Sequence, residues 1–261
     1  MRILVCVKHV PDTTEVRFDS ATNELKVRQA PTKINNYDEH ALEAAAQLRE
    51  KAGAEVVIAC VGPADAAKTM KSAVAAGGDR AILVSGAWAA DIDAAGTAGV
   101  IAALAAKEGP FDLVLSGDVS EDGYNSLVPG MVAAALGVPF VRGVSALEAD
   151  GGSAKVTRQG DGVEETYQVT LPAVLSVSSA INTPRTVTTL QTMKVPMSKV
   201  VTVAAGDLGV DEADLSPDRA ATKVIAVRPA ATPRRRQVIQ GEVDDVVREV
   251  VANLESAGVL A

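Results

Sequence analysis

The residues best placed to do chemistry lie between Phe111 and Met131, FDLVLSGDVSEDGYNSLVPGM. The apolar run Leu113-Val114-Leu115 has the length and residue type of a buried parallel strand. It breaks at Ser116-Gly117 into a polar loop. Asn125 or Ser126 can then cap a helix that carries Pro129 in its first turn and runs to Leu136-Gly137. Strand, polar loop and helix start together offer free backbone N–H groups to an anion. An ordinary βα connection with solvated acids would read the same way, so other strand ends have to decide. Two carry matching features: Cys6–Thr13, and Val61-Gly62-Pro63. Ligands of open α/β sheets bind outside the carboxyl ends of strands, which points to a small-ligand site suited to a nucleotide.

Catalytic and metal chemistry find little support. The two histidines, His9 and His40, are far apart and lack a clustered Cys or carboxylate pattern around them. No G-x-S-x-G elbow and no G-x-G-x-x-G fingerprint is present. Gly62–Thr69 follows a strand and opens a helix as a Walker A loop would. It has Ala67 where that motif needs its second glycine, however, and Pro63 removes an N–H donor. A phosphate wrap is excluded there, while an adenine or ribose edge still fits. Cys6 and Cys60 both sit in apolar strand-like runs and are expected as buried reduced thiols, not a disulfide.

The elements that must position these residues are legible as alternating patterns. Arg2–Val7, Glu55–Val61, Arg80–Val84 and Phe111–Ser116 read as strands, and helices are expected from Asn35-Asn36, after Pro63, and over Asp91–Lys107. That alternation implies right-handed βαβ units and a parallel sheet. Glu15–Arg28 suggests an exposed hairpin around Asn23, and Pro139–Val144 a further strand. Lys155–Gln159 and Glu164–Thr170 form a hairpin about Gly160-Asp161-Gly162, and Ala173–Val177 returns to the sheet. The expected organisation is a core over 1–181, an extended proline-bearing arm over 182–240 with a basic tether at Arg228–Arg236, and a closing amphipathic helix within 241–261.

A net charge of −8 argues against nucleic-acid or anionic-membrane partners. No apolar run is long enough to span a membrane, and the N-terminal sequence lacks the pattern of a signal peptide, so a cytoplasmic protein is expected.

The same residues, taken in order, resemble the β subunit of electron transfer flavoprotein, the FixA-like family. The resemblance is carried by Leu4–Thr13, Asn35–Ala45, Val61–Pro63, Ala75–Arg80 and Asp112–Gly117. It continues through Val156-Thr157-Arg158 to Leu171–Val174, then Asn182-x-Pro184-Arg185, Met193-Lys194 and Gly206–Val210. It implies an open, mostly parallel, doubly wound sheet of the adenine-nucleotide alpha-hydrolase type. It implies a heterodimer whose alpha subunit holds the redox-active FAD, with AMP as a structural ligand of the β subunit, or a second FAD there in the electron-bifurcating branch that takes electrons from NADH. By matching positions the nucleotide contacts fall on Cys6, Asn35, Asn36, Val61, Gly62 and the loop Asp122, Gly123, Asn125, Ser126, Leu127 and Val128. Leu127 departs from the family pattern, which has a small Gly or Thr there. Thr189, Leu190 and Met193 would dock flavin-dependent dehydrogenases, and the arm and last helix would pack on the alpha subunit. On this reading the chain is an electron-carrier subunit serving a quinone-linked or other acceptor, and no residue in it is catalytic. A reading of another class is a nucleotide-binding regulator of the universal-stress type, against which everything beyond residue 182 counts.

Overall fold

A computed structural model describes residues 1–19, 21–22, 24–227 and 236–260. In chain order the strands and helices begin with β1 (Arg2–Cys6), β2 (His9–Pro11), β3 (Phe18–Asp19), β4 (Glu24–Leu25), β5 (Thr32–Ile34) and α1 (Asn36–Ala52). They continue with β6 (Glu55–Val61), α2 (Ala67–Ala75), β7 (Arg80–Val84), α3 (Ala94–Glu108), β8 (Leu113–Gly117) and α4 (Val128–Leu136). Next come β9 (Phe140–Ala149), β10 (Ser153–Gln159), β11 (Glu164–Thr170), β12 (Ala173–Val177), α5 (Thr189–Lys194), β13 (Val200–Val203) and α6 (Val243–Ser256).

Nine strands form one sheet in the order β11-β10-β9-β12-β8-β1-β6-β7-β13. From β12 to β13 every neighbouring pair is parallel, as is β9 with β12, while β9, β10 and β11 run antiparallel as a meander. The parallel strands are the ones written as continuous Val, Ile and Leu runs, because helices cover both of their faces. Alternate residues of each strand supply the two cores. Ile3, Val5, Ile58, Leu113 and Leu115 pack with Leu42 and Ala45 of α1 and Met70 and Ala73 of α2. Leu4, Cys6, Val57, Ala59 and Val114 pack with Val100, Ile101 and Leu104 of α3 and Val132 and Ala133 of α4. The architecture is an open, doubly wound α/β fold.

The chain winds outward from β1 through β6 and β7, then returns across β1 to lay down β8 and β12 on the other side. Winding therefore reverses between β1 and β8. A crevice opens at such a point because the two following connections leave on opposite faces.

The stretch read as an extended arm is more structured than its composition suggests. Val200–Val203 is the sheet's edge strand, in parallel register with Ala81–Val84, and Ala205 and Leu215 are buried in the α3–α4 core. Polar contacts from two residues, Asn182 and Arg185, fix the chain to α1 as it leaves β12. Asn182 Nδ2 donates to the His40 carbonyl (2.9 Å), and Arg185 Nε donates to Glu43 Oε2 (2.7 Å) on α1. The described chain separates into two compact units, Met1–Val227 and Arg228–Ala261. The basic tether falls, apart from Arg236, outside the described residues. In the second unit, α6 has no buried residue, and Val243, Val247, Val250, Val251 and Leu254 are exposed. Among the described residues no helix is long and apolar enough to cross a membrane.

Candidate functional site at the sheet switch point

The site is built around one buried carboxylate. Asp38, in the first turn of α1, accepts the backbone N–H of Lys8 on one oxygen (2.8 Å) and that of Gly117 on the other (2.8 Å). It thereby ties together the carboxyl ends of β1 and β8, the two strands that flank the switch point. Burial pushes its carboxyl up to about 6, against the two N–H bonds that favour the ionised form. At neutral pH Asp38 is thus a carboxylate with both oxygens engaged. Gly117 is what permits the close approach. A Cβ there would stand 2.6 Å from the Tyr37 backbone carbon and 2.7 Å from Asp38 Oδ1, well inside contact distance.

From this anchor the 118–128 loop is braced on four sides. The side chain of the fully buried Asn35 donates to the Val119 carbonyl (2.8 Å) and accepts from Glu121 N–H (3.1 Å). The Glu121 carboxylate in turn receives the backbone and side-chain N–H groups of Asn36 (3.3 and 2.8 Å). An acid placed on the first turn of a helix complements its dipole, so Glu121 caps α1 from a distant loop. Lys8 Nζ pairs with Asp122 (2.7 Å), and Lys33 Nζ lies 3.3 Å from Glu121. Burial works against ionisation of Asp122, but the Lys8 ammonium and a Ser120 hydroxyl outweigh it and hold that carboxyl below its ordinary value. On the remaining side Arg142 of β9 grips Asp118 with two nitrogens (2.9 and 3.1 Å) and reaches Ser126 Oγ (3.1 Å).

Tyr124 and Ser126 adopt left-handed backbone conformations, φ 51° and 54°. Such conformations cost on the order of 1–3 kcal/mol each outside glycine and persist where neighbours over-determine them. Here the Tyr37 and Tyr124 hydroxyls meet at 2.6 Å with their rings edge to face, and Arg142 holds Ser126. α4 then begins at Val128, with Leu127 at the cap position, one residue later than a Ser126 cap implies and two later than an Asn125 cap. Asn125 Oδ1 spends its acceptor on Leu127 N–H (3.4 Å), and no side chain caps the helix, whose first turn carries Pro129. The first-turn N–H groups of α4 have no side-chain cap among the described residues.

The loop thus joins Asn35, Asn36, Asp122 and Ser126 into one hydrogen-bonded assembly. Cys6 ends β1 two residues before Lys8, and Val61 ends the neighbouring strand β6, with Gly62 directly after it. Both thiols are buried, and burial drives their acidity far down, Cys60 to about 12 and Cys6 higher still, so neither supplies a thiolate nucleophile. His9 is sealed against Thr69 Oγ1 (2.7 Å) with its pKa lowered by burial, and no group of three or more metal-binding side chains occurs among the described residues. Sequence reasoning missed Lys8, Tyr37, Asp38, Glu121 and Arg142. Their partners are 16 to 114 residues away in the chain, beyond the reach of any local pattern. Ser116, near the end of β8, has a buried hydroxyl with no partner among the described residues, the kind of orphan group that a ligand atom would satisfy.

Thr189, Leu190 and Met193 lie elsewhere, on α5. Thr188 forms a capping box with Gln191, which explains how six residues hold a helical turn, and leaves Leu190 and Met193 62% and 70% exposed. A separate cavity of about 480 Å³ lies between β5, α1, α2 and residues 184–187 and is lined by none of the predicted nucleotide contacts.

A doubly wound α/β sheet with a braced polar loop at its switch point is the architecture of a small-ligand-binding domain. A family model described as the electron transfer flavoprotein domain matches residues 25–208. The chain is 32% identical over all 261 of its residues to an electron transfer flavoprotein subunit beta of Thermoanaerobacterium thermosaccharolyticum, covering all of both proteins. It is 37% identical over 206 residues to a protein of the same name from Syntrophomonas wolfei, covering 78% of this chain and 80% of the other. Protein FixA of Azorhizobium caulinodans is 32% identical over 219 residues, 81% of this chain and 78% of its own length. The chain belongs to the electron transfer flavoprotein beta subunit family.

Proposed function

We propose that this chain pairs with an electron transfer flavoprotein alpha subunit and works as the non-catalytic half of an electron carrier. The redox chemistry comes from FAD held by the alpha subunit, which takes electrons from flavin-dependent dehydrogenases and passes them to a quinone-linked or other acceptor. The present chain holds a nucleotide, AMP, as a structural element at the switch point, and offers α5 as the surface on which donor dehydrogenases dock. Its last helix packs its apolar stripe on the alpha subunit.

The observation that carries the nucleotide assignment is the loop after β8. It is fixed in a costly backbone conformation, lies beside an uncapped helix start, and is bordered by an unpartnered buried hydroxyl at Ser116. An ordinary connection has no need of such bracing. The residues fit a nucleotide: Ser126 and the N–H groups of α4 for phosphate, Cys6 and Val61-Gly62 as the flat wall for a base or ribose. The deciding experiment is on the chain co-produced with its alpha subunit, from which ligands are released by heat, separated and counted. One FAD and one AMP per heterodimer is the expected result. Two FAD would instead assign the chain to the bifurcating branch, and FAD alone at one equivalent would remove the nucleotide from this subunit.

A further inference from the structure

We propose that Arg142 binds the phosphate of the nucleotide, an inference that rests on the nucleotide reading above and adds a residue outside the loop itself. Three carboxylates of the loop, Asp118, Glu121 and Asp122, are matched by three cations: Lys33 of β5, Lys8 of the β1–β2 link and Arg142 of β9. Lys8 is committed to Asp122 and Lys33 to Glu121, Asp12 and Asn36. Arg142 alone among them touches Ser126, two residues before the uncapped start of α4. A phosphate oxygen accepting from Ser126 Oγ and the first N–H groups of α4 would lie within a hydrogen bond of the same guanidinium.

The guanidinium is aimed by its surroundings. Asp118, which holds it through two nitrogens, is itself fixed by the Ser176 hydroxyl (2.9 Å), and Ser176 accepts the backbone N–H of Gly143 (3.2 Å). Gly143 has φ 69°, and β9 shifts register against β12 at this point, so the bulge turns Arg142 along the sheet end toward the loop. With Nε and Nη2 occupied, Nη1 forms no hydrogen bond among the described residues, and the side chain is 53% exposed. Arginine in this state keeps both N–H donors of Nη1 for a charge-assisted contact to a phosphate oxygen. Because these three cations are already balanced by Asp118, Glu121 and Asp122, a bound phosphate draws on the unused N–H donors of Arg142 and the helix end and not on a spare charge.

The test compares AMP with adenosine on nucleotide-stripped heterodimer, by calorimetry, for the native protein, R142Q and R142K. If Arg142 meets the phosphate, R142Q weakens AMP by about tenfold or more while adenosine binding stays within about twofold. R142K, which keeps the charge, retains an intermediate preference for AMP. Equal loss of AMP and adenosine in R142Q would mean that the residue only props the loop, and unchanged AMP binding would mean that it does neither; both overturn the proposal. If the native heterodimer binds neither compound, the nucleotide reading falls as well. Should R142Q fail to fold, the R142K comparison decides alone: AMP and adenosine weakened in parallel would count against the proposal.

Discussion

Single atoms decide how the site is held. Gly117 has no room for a methyl group against the rigid start of α1, so Gly117→Ala is expected to destabilise the protein by about 1–3 kcal/mol, read as a lower urea midpoint with an unchanged slope. Glu43 offers a test by pH. Burial alone would raise its carboxyl, but hydrogen bonds from Arg185 and Gln47 outweigh burial and hold it below the ordinary 4.5. A carboxyl depressed in the folded state contributes stability above its unfolded value and loses it as pH falls through the folded one. Glu43→Gln should therefore cost about 1–3 kcal/mol at pH 7, and the gap from the native protein should close as the pH is taken well below 4.5. A gap that persists into strong acid would show that the pair matters by shape and not by charge.

Elements differ in how plainly the sequence announced them. β1, β6, β7, β8 and β12 were legible because each is a short apolar run buried on both faces, and the turn at Gly160–Gly162 announced the β10–β11 hairpin. β13 was not. Its four residues, VVTV, follow a proline-bearing stretch, and only pairing with β7 makes them a strand. α5 escaped notice for a related reason: six residues are too few to show a period, and the helix depends on one capping box. The loop after β8 reads from the sequence as a ligand-type connection, whereas the roles its acids take as a helix cap and as ion-pair partners are set by residues brought in by the sheet. On α5 the exposed Leu190 and Met193 contribute nothing to the core. Replacing both with Ala should leave stability within about 0.5 kcal/mol while raising the apparent KM for a donor dehydrogenase in a coupled electron-transfer assay. An unchanged KM would remove α5 from the docking surface.

At the scale of the whole molecule, every buried apolar side chain described lies between Ile3 and Leu215. The unit Met1–Val227 thus contains a complete core. A chain ended at Val227 is expected to unfold cooperatively with a midpoint close to that of the full protein, measured by circular dichroism, and to lose co-elution with the alpha subunit if α6 is what that subunit grips. Loss of cooperative folding would mean that the terminal helix supports the core after all. One consequence of β13 concerns α5. The chain leaves the sheet at β12 and rejoins it at β13, five strand spacings away, a gap of about 24 Å. The surface helix is therefore slung like a strap between two fixed posts in a single sheet. A partner that pulls on it loads the middle and the rim of the sheet together.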